Sequence, residues 1–148
     1  MNTGLLVVDV TMAYLQDFHF DLHSWLWGIA SRVKFNTDAD VFFFYDDMEY
    51  EFPNIIEFVA RPYHCQYKSD FDAFDGTNLD KMLQARGIEE VEVCGLFTEW
   101  CIDATVKSAI NHGYKVCVNP DLILSENGCP ETTESCSGYF PKECRLKI

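Results

Sequence analysis

Lysine and arginine are scarce in this chain. Its 148 residues include 11 basic side chains against 24 acidic ones, which gives a formal net charge of -13 at pH 7. Such a charge repels phosphate backbones and anionic lipid surfaces. We therefore expect neither a nucleic-acid partner nor a membrane partner.

Long apolar runs are also missing. The first residues, MNTGLLVVDV, have no basic flank, and Asp9 interrupts their apolar run. The segment therefore matches neither a signal peptide nor a membrane span. We expect a cytoplasmic protein.

The seven cysteines contain no CxxC pair, the spacing that is typical of zinc and redox sites. In a reducing compartment, such an odd number of cysteines should be mostly free thiols. A small buried hydrophobic residue is the default interpretation of each. Cys94 and Cys117 lie within predicted strands, and we expect both in the core.

What the chain does contain is an alternation of short apolar runs and helical patterns. Strands are predicted at 4–10, 41–47, 91–95 and 114–120, and a further one at Ile55–Ala60. Helices are predicted at 23–35, 77–87 and from about Glu99 to His112. This order predicts an α/β fold with three layers, α/β/α, around a mostly parallel, Rossmann-like sheet.

The length fits a single domain. An apolar content of 48% over 148 residues is enough for one sizeable core and too little for two comfortable domains. We expect one domain over residues 1–148. Its end, residues 127–148, loses the periodicity and is predicted to be a loop-rich tail.

Three reactive side chains fall at the predicted carboxyl ends of strands, where ligands bind in open parallel sheets. Asp9 ends the first strand, Lys68 precedes a helix, and Cys101 enters the helix after the 91–95 strand. A thiol at a helix N-terminus beside an ammonium should have a lowered pKa and act as a nucleophile. The alternative at this point is that Cys101 is one more buried thiol.

Three motifs resemble the isochorismatase-like cysteine hydrolases, which include nicotinamidases and N-carbamoylsarcosine amidohydrolase. They are LLVVDVTMAYL, KSDFDAFDGTNLDKML and GLFTEWCIDATVKSAINHGYKVCV, and they place the family's catalytic Asp, Lys and Cys on Asp9, Lys68 and Cys101. The resemblance covers about Gly4 to Asp121. It implies the isochorismatase-like hydrolase fold, with a C-terminus shorter than is usual for the family.

The resemblance also implies a mechanism. Asp9 would accept the thiol proton, Lys68 would hold the pair electrostatically, and Cys101 would attack an amide carbonyl to form a thioester. The oxyanion would be held by the backbone amides of Phe97 and Cys101, beside a cis peptide that joins Leu96 to Phe97. Phe97 is large where many members have a small residue.

The resemblance also points to residues that could bind substrate or a metal, and each of them has a second interpretation. Tyr14 and Phe71 fall where pocket aromatics bind substrate, and a core role fits them equally. Nicotinamidases bind a metal through an Asp-x-His pair and a further His, but here the second strand ends in DDMEYEF. Asp47 and Glu49 could supply oxygen ligands, although a solvated acidic loop fits better. We therefore expect no metal and no cofactor.

Two classes of function are compatible with these residues. The first is an amidohydrolase that cleaves a C–N bond of a small amide or carbamoyl compound, with nicotinamide as the best single guess. The second is a catalytically retired member that binds a small molecule or a protein. The many large aromatics, among them Phe42–Phe44, Trp25, Trp27 and Trp100, predict a homo-oligomer unless they fill the core.

Overall fold

A single parallel sheet organises the computed structural model, which describes residues 2–16, 18, 22–46 and 50–147. All neighbouring strands of this sheet pair in parallel, in the order β3-β2-β1-β4-β5-β6. The six strands within the described residues are β1 (Asn2–Val8), β2 (Ala39–Tyr45), β3 (His64–Tyr67), β4 (Ile88–Leu96), β5 (Lys115–Leu124) and β6 (Cys144–Leu146). The predicted parallel sheet is confirmed.

Helices cover both faces of the sheet. Those whose buried side chains pack on one face are α1 (Met12–Leu15), α2 (His23–Lys34) and α3 (Asn54–Ala60). Those on the other face are α4 (Leu79–Ala85), α5 (Asp103–Asn111) and α6 (Thr133–Ser137). The predicted three-layer α/β/α architecture is confirmed. No described helix has the length and apolarity that crossing a membrane requires.

Strand order positions the carboxyl ends of β1 and β4 side by side. The chain runs outward from β1 to β2 and β3 on one side and from β4 to β5 and β6 on the other, so the order reverses between β1 and β4. Ligands bind at such a reversal in open α/β sheets. Here Gly95 pairs with Val8, and an added Cβ would lie only 2.1 Å from the Val8 carbonyl oxygen. Glycine is therefore required for this approach of the two strands.

Several segments differ from the sequence-based prediction, among them the strand β3, which was not predicted. Ile55–Ala60, predicted as a strand, belongs to helix α3, whose buried residues Ile56, Val59 and Ala60 have the i, i+3, i+4 spacing of one helix face. The tail, predicted to be loop-rich, contains α6 and β6. Thr132 and Ser135 form a capping box that starts α6, and β6 adds a sixth strand beside β5. The tail therefore adds one helix and one strand to the fold.

A buried carboxylate attaches the tail to the sheet. Glu92 of β4 is fully buried. Arg32 Nη2 lies 3.1 Å from Glu92 Oε1, and Lys147 Nζ lies 2.9 Å from the same oxygen. Two cations from opposite ends of the chain therefore neutralise one carboxylate in the interior.

Replacing Glu92 by glutamine should lower the free energy of unfolding by about 3 kcal/mol, because it removes the buried counter-charge of the largely buried Arg32 and leaves it only the exposed Asp38, at 3.3 Å. Replacing Lys147 by methionine should cost less than about 1 kcal/mol, since this side chain is partly exposed and Arg32 keeps its partner. Urea unfolding of the two variants beside the wild type measures both effects. Equal losses would contradict this ranking.

The aromatic residues that predicted assembly are mostly internal. Phe42, Phe43 and Phe44 are fully buried and Trp25 is 5% exposed, so these four fill the core and give no argument for an interface. Trp27 is 59% exposed. Homo-oligomerisation stays a prediction. Sedimentation velocity over a range of concentrations, run beside specific activity, should show association, and a fully active monomer at every dilution would contradict it.

Candidate active site

Asp9, Lys68 and Cys101 meet at the carboxyl edge of the sheet, as the sequence predicts. Asp9 follows β1, Lys68 follows β3, and Cys101 lies in the turn after β4. Their exposed fractions are 1%, 1% and 5%. Three residues from distant parts of the chain thus form one buried cluster.

The backbone fixes the position of Asp9 directly after β1. Its φ of 58° lies in the left-handed region, which aspartate adopts more readily than most residues. Its N–H donates to the Phe44 carbonyl at 3.0 Å, and its own carbonyl accepts from the Thr11 N–H at 2.8 Å. These bonds turn the chain sharply, so that the carboxylate lies at the carboxyl edge of the sheet.

Lys68 reaches the cluster from β3, two strands away from β1. Neighbouring strands are about 4.8 Å apart, so the distance requires a long side chain. The Lys68 ammonium lies 2.9 Å from Asp9 Oδ2 and donates to Cys101 Sγ at 3.3 Å. It also donates to the Asp70 carbonyl at 3.0 Å. Because an ammonium has three donors, all of them have partners.

Cys101 lies in a π-helical turn, Thr98–Ile102, between β4 and α5. The sequence predicts an α-helix from about Glu99, whereas the α-helix begins at Asp103. Such wide turns occur often at functional sites. Within this turn, the Cys101 sulfur lies 3.3 Å from the Lys68 ammonium.

Residues after β5 hold this turn in place. Thr98 Oγ1 donates to Glu131 Oε2 at 2.7 Å. Ser125 Oγ donates to Glu99 Oε2 at 2.7 Å, and the Glu126 N–H donates to Glu99 Oε1 at 3.0 Å. The C-terminal part of the chain therefore fixes the segment that contains Cys101.

Burial determines the charges in the cluster. It raises the pKa of Asp9 to about 6, although the neighbouring Lys68 ammonium lowers it. Burial also raises the pKa of the Cys101 thiol to about 12, with a further rise from the Asp9 carboxylate. At neutral pH the cluster therefore holds a carboxylate, an ammonium and a neutral thiol.

The expected lowering of the Cys101 pKa is wrong for this resting state. Lys68 does favour the thiolate, but burial and the Asp9 carboxylate have the larger effect. Burial opposes the charge of Lys68 as well, but Asp9 and Cys101 outweigh it and raise the Lys68 pKa. The sulfur can become a nucleophile when its proton moves to Asp9, whose carboxylate lies 2.9 Å from the Lys68 ammonium.

Two backbone N–H groups could hold an oxyanion beside the sulfur. Leu96 and Phe97 are joined by a cis peptide bond, as the resemblance implied. The Phe97 N–H donates no hydrogen bond to the described residues, while the Phe97 carbonyl accepts from Trp100 and Ile102 at 3.0 and 3.2 Å. The Phe97 and Cys101 amides remain the predicted oxyanion donors.

A cavity of about 310 Å³ opens above the cluster. Its lining includes Asp9 and Cys101 together with Tyr14 and Phe71, the two aromatics that the sequence predicts for substrate. The ring of Phe97 forms part of the wall and packs edge-on against Tyr14, with 5.5 Å between the ring centroids. The described lining is thus largely aromatic.

Sequence reasoning missed three residues of this region. Trp100 and Glu126 line the cavity, and Asp46 accepts a hydrogen bond from the Tyr14 hydroxyl. The position of Trp100 next to Cys101 could have indicated its role. Nothing in the sequence around Glu126 could have done so, because it reaches the site through the fold of the tail.

A nicotinamidase-type metal does not fit the described residues. One oxygen each of Asp9 and Asp46 and the Cys101 sulfur lie within 4.8 Å of one another. However, the Lys68 ammonium already occupies this cluster, 2.9 Å from Asp9. The Asp46 carboxylate already accepts a hydrogen bond from the Tyr14 hydroxyl. A divalent cation here would be repelled by the Lys68 ammonium.

The histidines give this metal no further ligand among the described residues. His64 is exposed on β3, and His112 stacks on Phe74 at the end of α5. Asp47 and Glu49, the oxygen ligands considered in the sequence, lie outside the described residues. The expectation of a metal-free site remains a prediction.

Comparison with known proteins identifies the family. The family model for the Isochorismatase domain matches residues 53–134. The isochorismatase family protein YddQ of Bacillus subtilis is 32% identical over 150 residues, covering 90% of this chain and 80% of the relative. The chain belongs to the isochorismatase family. Its members are amidohydrolases, so the predicted family and enzyme class are confirmed.

Solved structures of the isochorismatase family share this fold. The nicotinamidase SaPncA of Staphylococcus aureus superposes with a TM-score of 0.72 at 32% identity, covering 86% of this chain and 85% of that one. The N-carbamoylsarcosine amidase of Thermoplasma acidophilum superposes with a TM-score of 0.75 at 19% identity, covering 99% and 96%. At 19% identity, the similarity to the amidase supports the fold only.

Proposed function

We propose that this isochorismatase-family chain hydrolyses a C–N bond of a small amide through a thioester on Cys101. One observation carries the proposal: the Lys68 ammonium contacts both the Asp9 carboxylate, at 2.9 Å, and the Cys101 sulfur, at 3.3 Å. A buried lysine that contacts both a buried aspartate and a buried cysteine is costly for stability. A retired binding module would have no use for this arrangement.

The reaction begins with proton transfer from the Cys101 thiol to Asp9. As the sulfur attacks the amide carbon, the negative charge moves from the carboxylate to the sulfur and then to the carbonyl oxygen. Lys68 stays in contact with both partners, so it stabilises the charge before and after the transfer. The N–H groups of Phe97 and Cys101 would donate to the developing oxyanion.

Collapse of this intermediate breaks the C–N bond. Protonated Asp9 gives its proton to the leaving nitrogen, which departs as ammonia or an amine, and the acyl group remains on Cys101 as a thioester. Asp9, again a carboxylate, then takes a proton from water as the water attacks the thioester. Collapse of this second intermediate breaks the C–S bond, and Asp9 returns the proton to the sulfur, which releases the free acid and restores the thiol.

The pocket supports a planar substrate. Tyr14, Phe71, Phe97 and Trp100 offer aromatic surfaces within a cavity of about 310 Å³, which suits a small flat ring. The nicotinamidase SaPncA is similar at 32% identity over most of both chains. Nicotinamide is therefore the first neutral planar amide to test.

A coupled ammonia assay over a panel of primary amides, carbamoyl compounds and ureides tests the proposal. We expect ammonia release from at least one planar amide, with loss of activity in the Cys101→Ala variant. Binding of these compounds without turnover of any would instead identify a retired binding module.

The rate should depend on pH through Asp9. The pKa of this carboxyl is raised to about 6, and only the ionised form can accept the thiol proton. A plot of kcat/KM should therefore fall below about pH 6 and level off above it. Circular dichroism at each pH controls for unfolding, and a flat profile between pH 5 and pH 8 would contradict this role of Asp9.

A further inference from the structure

The outer part of the active-site cavity combines aromatic faces with an exposed carboxylate. Phe71 and Trp100 are 53% and 49% exposed, and their ring centroids are 5.6 Å apart. The Trp100 indole N–H donates to Glu126 Oε2. The backbone N–H of Glu126 is in turn held by Glu99. The Glu126 carboxylate therefore lies beside the Trp100 ring at the mouth of the cavity.

The charged side chains among the described lining of the cavity are both acidic. Asp9 and Glu126 line it, and Asp46 lies close enough to raise the pKa of Asp9 by repulsion. The nearest cation is Lys68, whose three donors all have partners within the protein. Among the described residues, no lysine or arginine lines the cavity. The nine residues outside the described ranges include neither lysine nor arginine.

We infer that the substrate is a small amide that carries a positive charge on the part that lies between Phe71, Trp100 and Glu126. This inference rests on the proposed hydrolase function and names its substrate class. Aromatic faces attract cations, and the Glu126 carboxylate adds a direct counter-charge. A substrate with a carboxylate at the same place would face Glu126 without a free cation to neutralise it.

Three primary amides of similar size separate the charge effect: the ring-N-methylated nicotinamide cation, neutral benzamide and the monoamide of isophthalic acid, an anion. Binding to the Cys101→Ala variant, measured by calorimetry, isolates recognition from reactivity. We expect the cation to bind about tenfold tighter than benzamide, and the anion about tenfold more weakly. Equal affinities, or the opposite order, would overturn the inference.

Glu126→Gln in the same background tests the role of this residue. The ratio of cation to benzamide affinity should fall at least about threefold, because the counter-charge is removed while the indole acceptor is kept. Glu143→Gln is the matched control: Glu143 is exposed and directly precedes β6, so it lies at the opposite, amino edge of the sheet. An identical ratio in the two variants would overturn the assignment of Glu126.

Turnover by the wild-type enzyme keeps this inference separate from the proposed function. Ammonia release without cation preference would overturn the inference and leave the hydrolase standing. Cation preference in binding without ammonia release from any amide would support the inference and contradict the hydrolase.

Discussion

Replacing Cys101 by serine is expected to lower kcat by about a thousandfold or more. The hydroxyl group has nearly the same size and can keep the contact with Lys68, but it is a much weaker acid and nucleophile than the thiol. The geometry of the cluster should therefore survive while the attack on the amide carbon is lost. Steady-state ammonia release measures the effect.

Cys129→Ser is the matched control for this variant, because Cys129 is an exposed cysteine. It should retain wild-type activity. Far-UV circular dichroism and thermal unfolding of both variants confirm that the fold is intact. A Cys101→Ser enzyme with more than about a tenth of the wild-type kcat would show that the nucleophile lies elsewhere.

Replacing Asp9 by asparagine should lower kcat by about a hundredfold to ten-thousandfold, the contribution of a well-placed general base. The amide keeps the shape of the carboxyl group but cannot accept the thiol proton. Lys68 would keep its contacts with Cys101 and Asp70. The loss should therefore appear in kcat and in kcat/KM alike, at every pH.

Asp46→Asn makes the same chemical change at the neighbouring carboxylate. It should retain turnover and move the acidic limb of the pH profile to lower pH, because repulsion from Asp46 raises the pKa of Asp9. The asparagine oxygen can still accept the hydrogen bond from the Tyr14 hydroxyl. If Asp46→Asn abolished turnover and Asp9→Asn did not, the proton acceptor would be Asp46.

The sequence predicts the central part of the fold because its strands are distinctive. The runs that form β1, β2 and β4 are apolar and bounded by polar residues or glycine, as strands buried on both faces should be. Ile55–Ala60 was ambiguous, since a short apolar run fits a strand or a helix, and the face shared by Ile56, Val59 and Ala60 decides for the helix. The short α6 and β6 depend on tertiary contacts that no local pattern shows.

Asp9 and Cys101 could be predicted because each follows a predicted strand, whereas Lys68 follows β3, a strand that the sequence did not predict, and was found through the family resemblance. The protonation of these residues could not be predicted, since it depends on how deeply the cluster is buried. A helix start beside a lysine predicts a thiolate, but burial and the Asp9 carboxylate favour the thiol. Asp46 and Glu126 were missed because their position at the cavity results from folding rather than from a motif.

Detection of the covalent intermediate tests the central claim most directly. The enzyme would be mixed with an amide that it turns over, quenched in acid within milliseconds to seconds, and digested for peptide mass spectrometry. We predict that the peptide containing Cys101 gains the mass of the acyl group as a thioester, which hydroxylamine removes as the hydroxamate. Ammonia release with an unmodified Cys101 peptide throughout the pre-steady-state phase, or an acyl group on another residue, would contradict it.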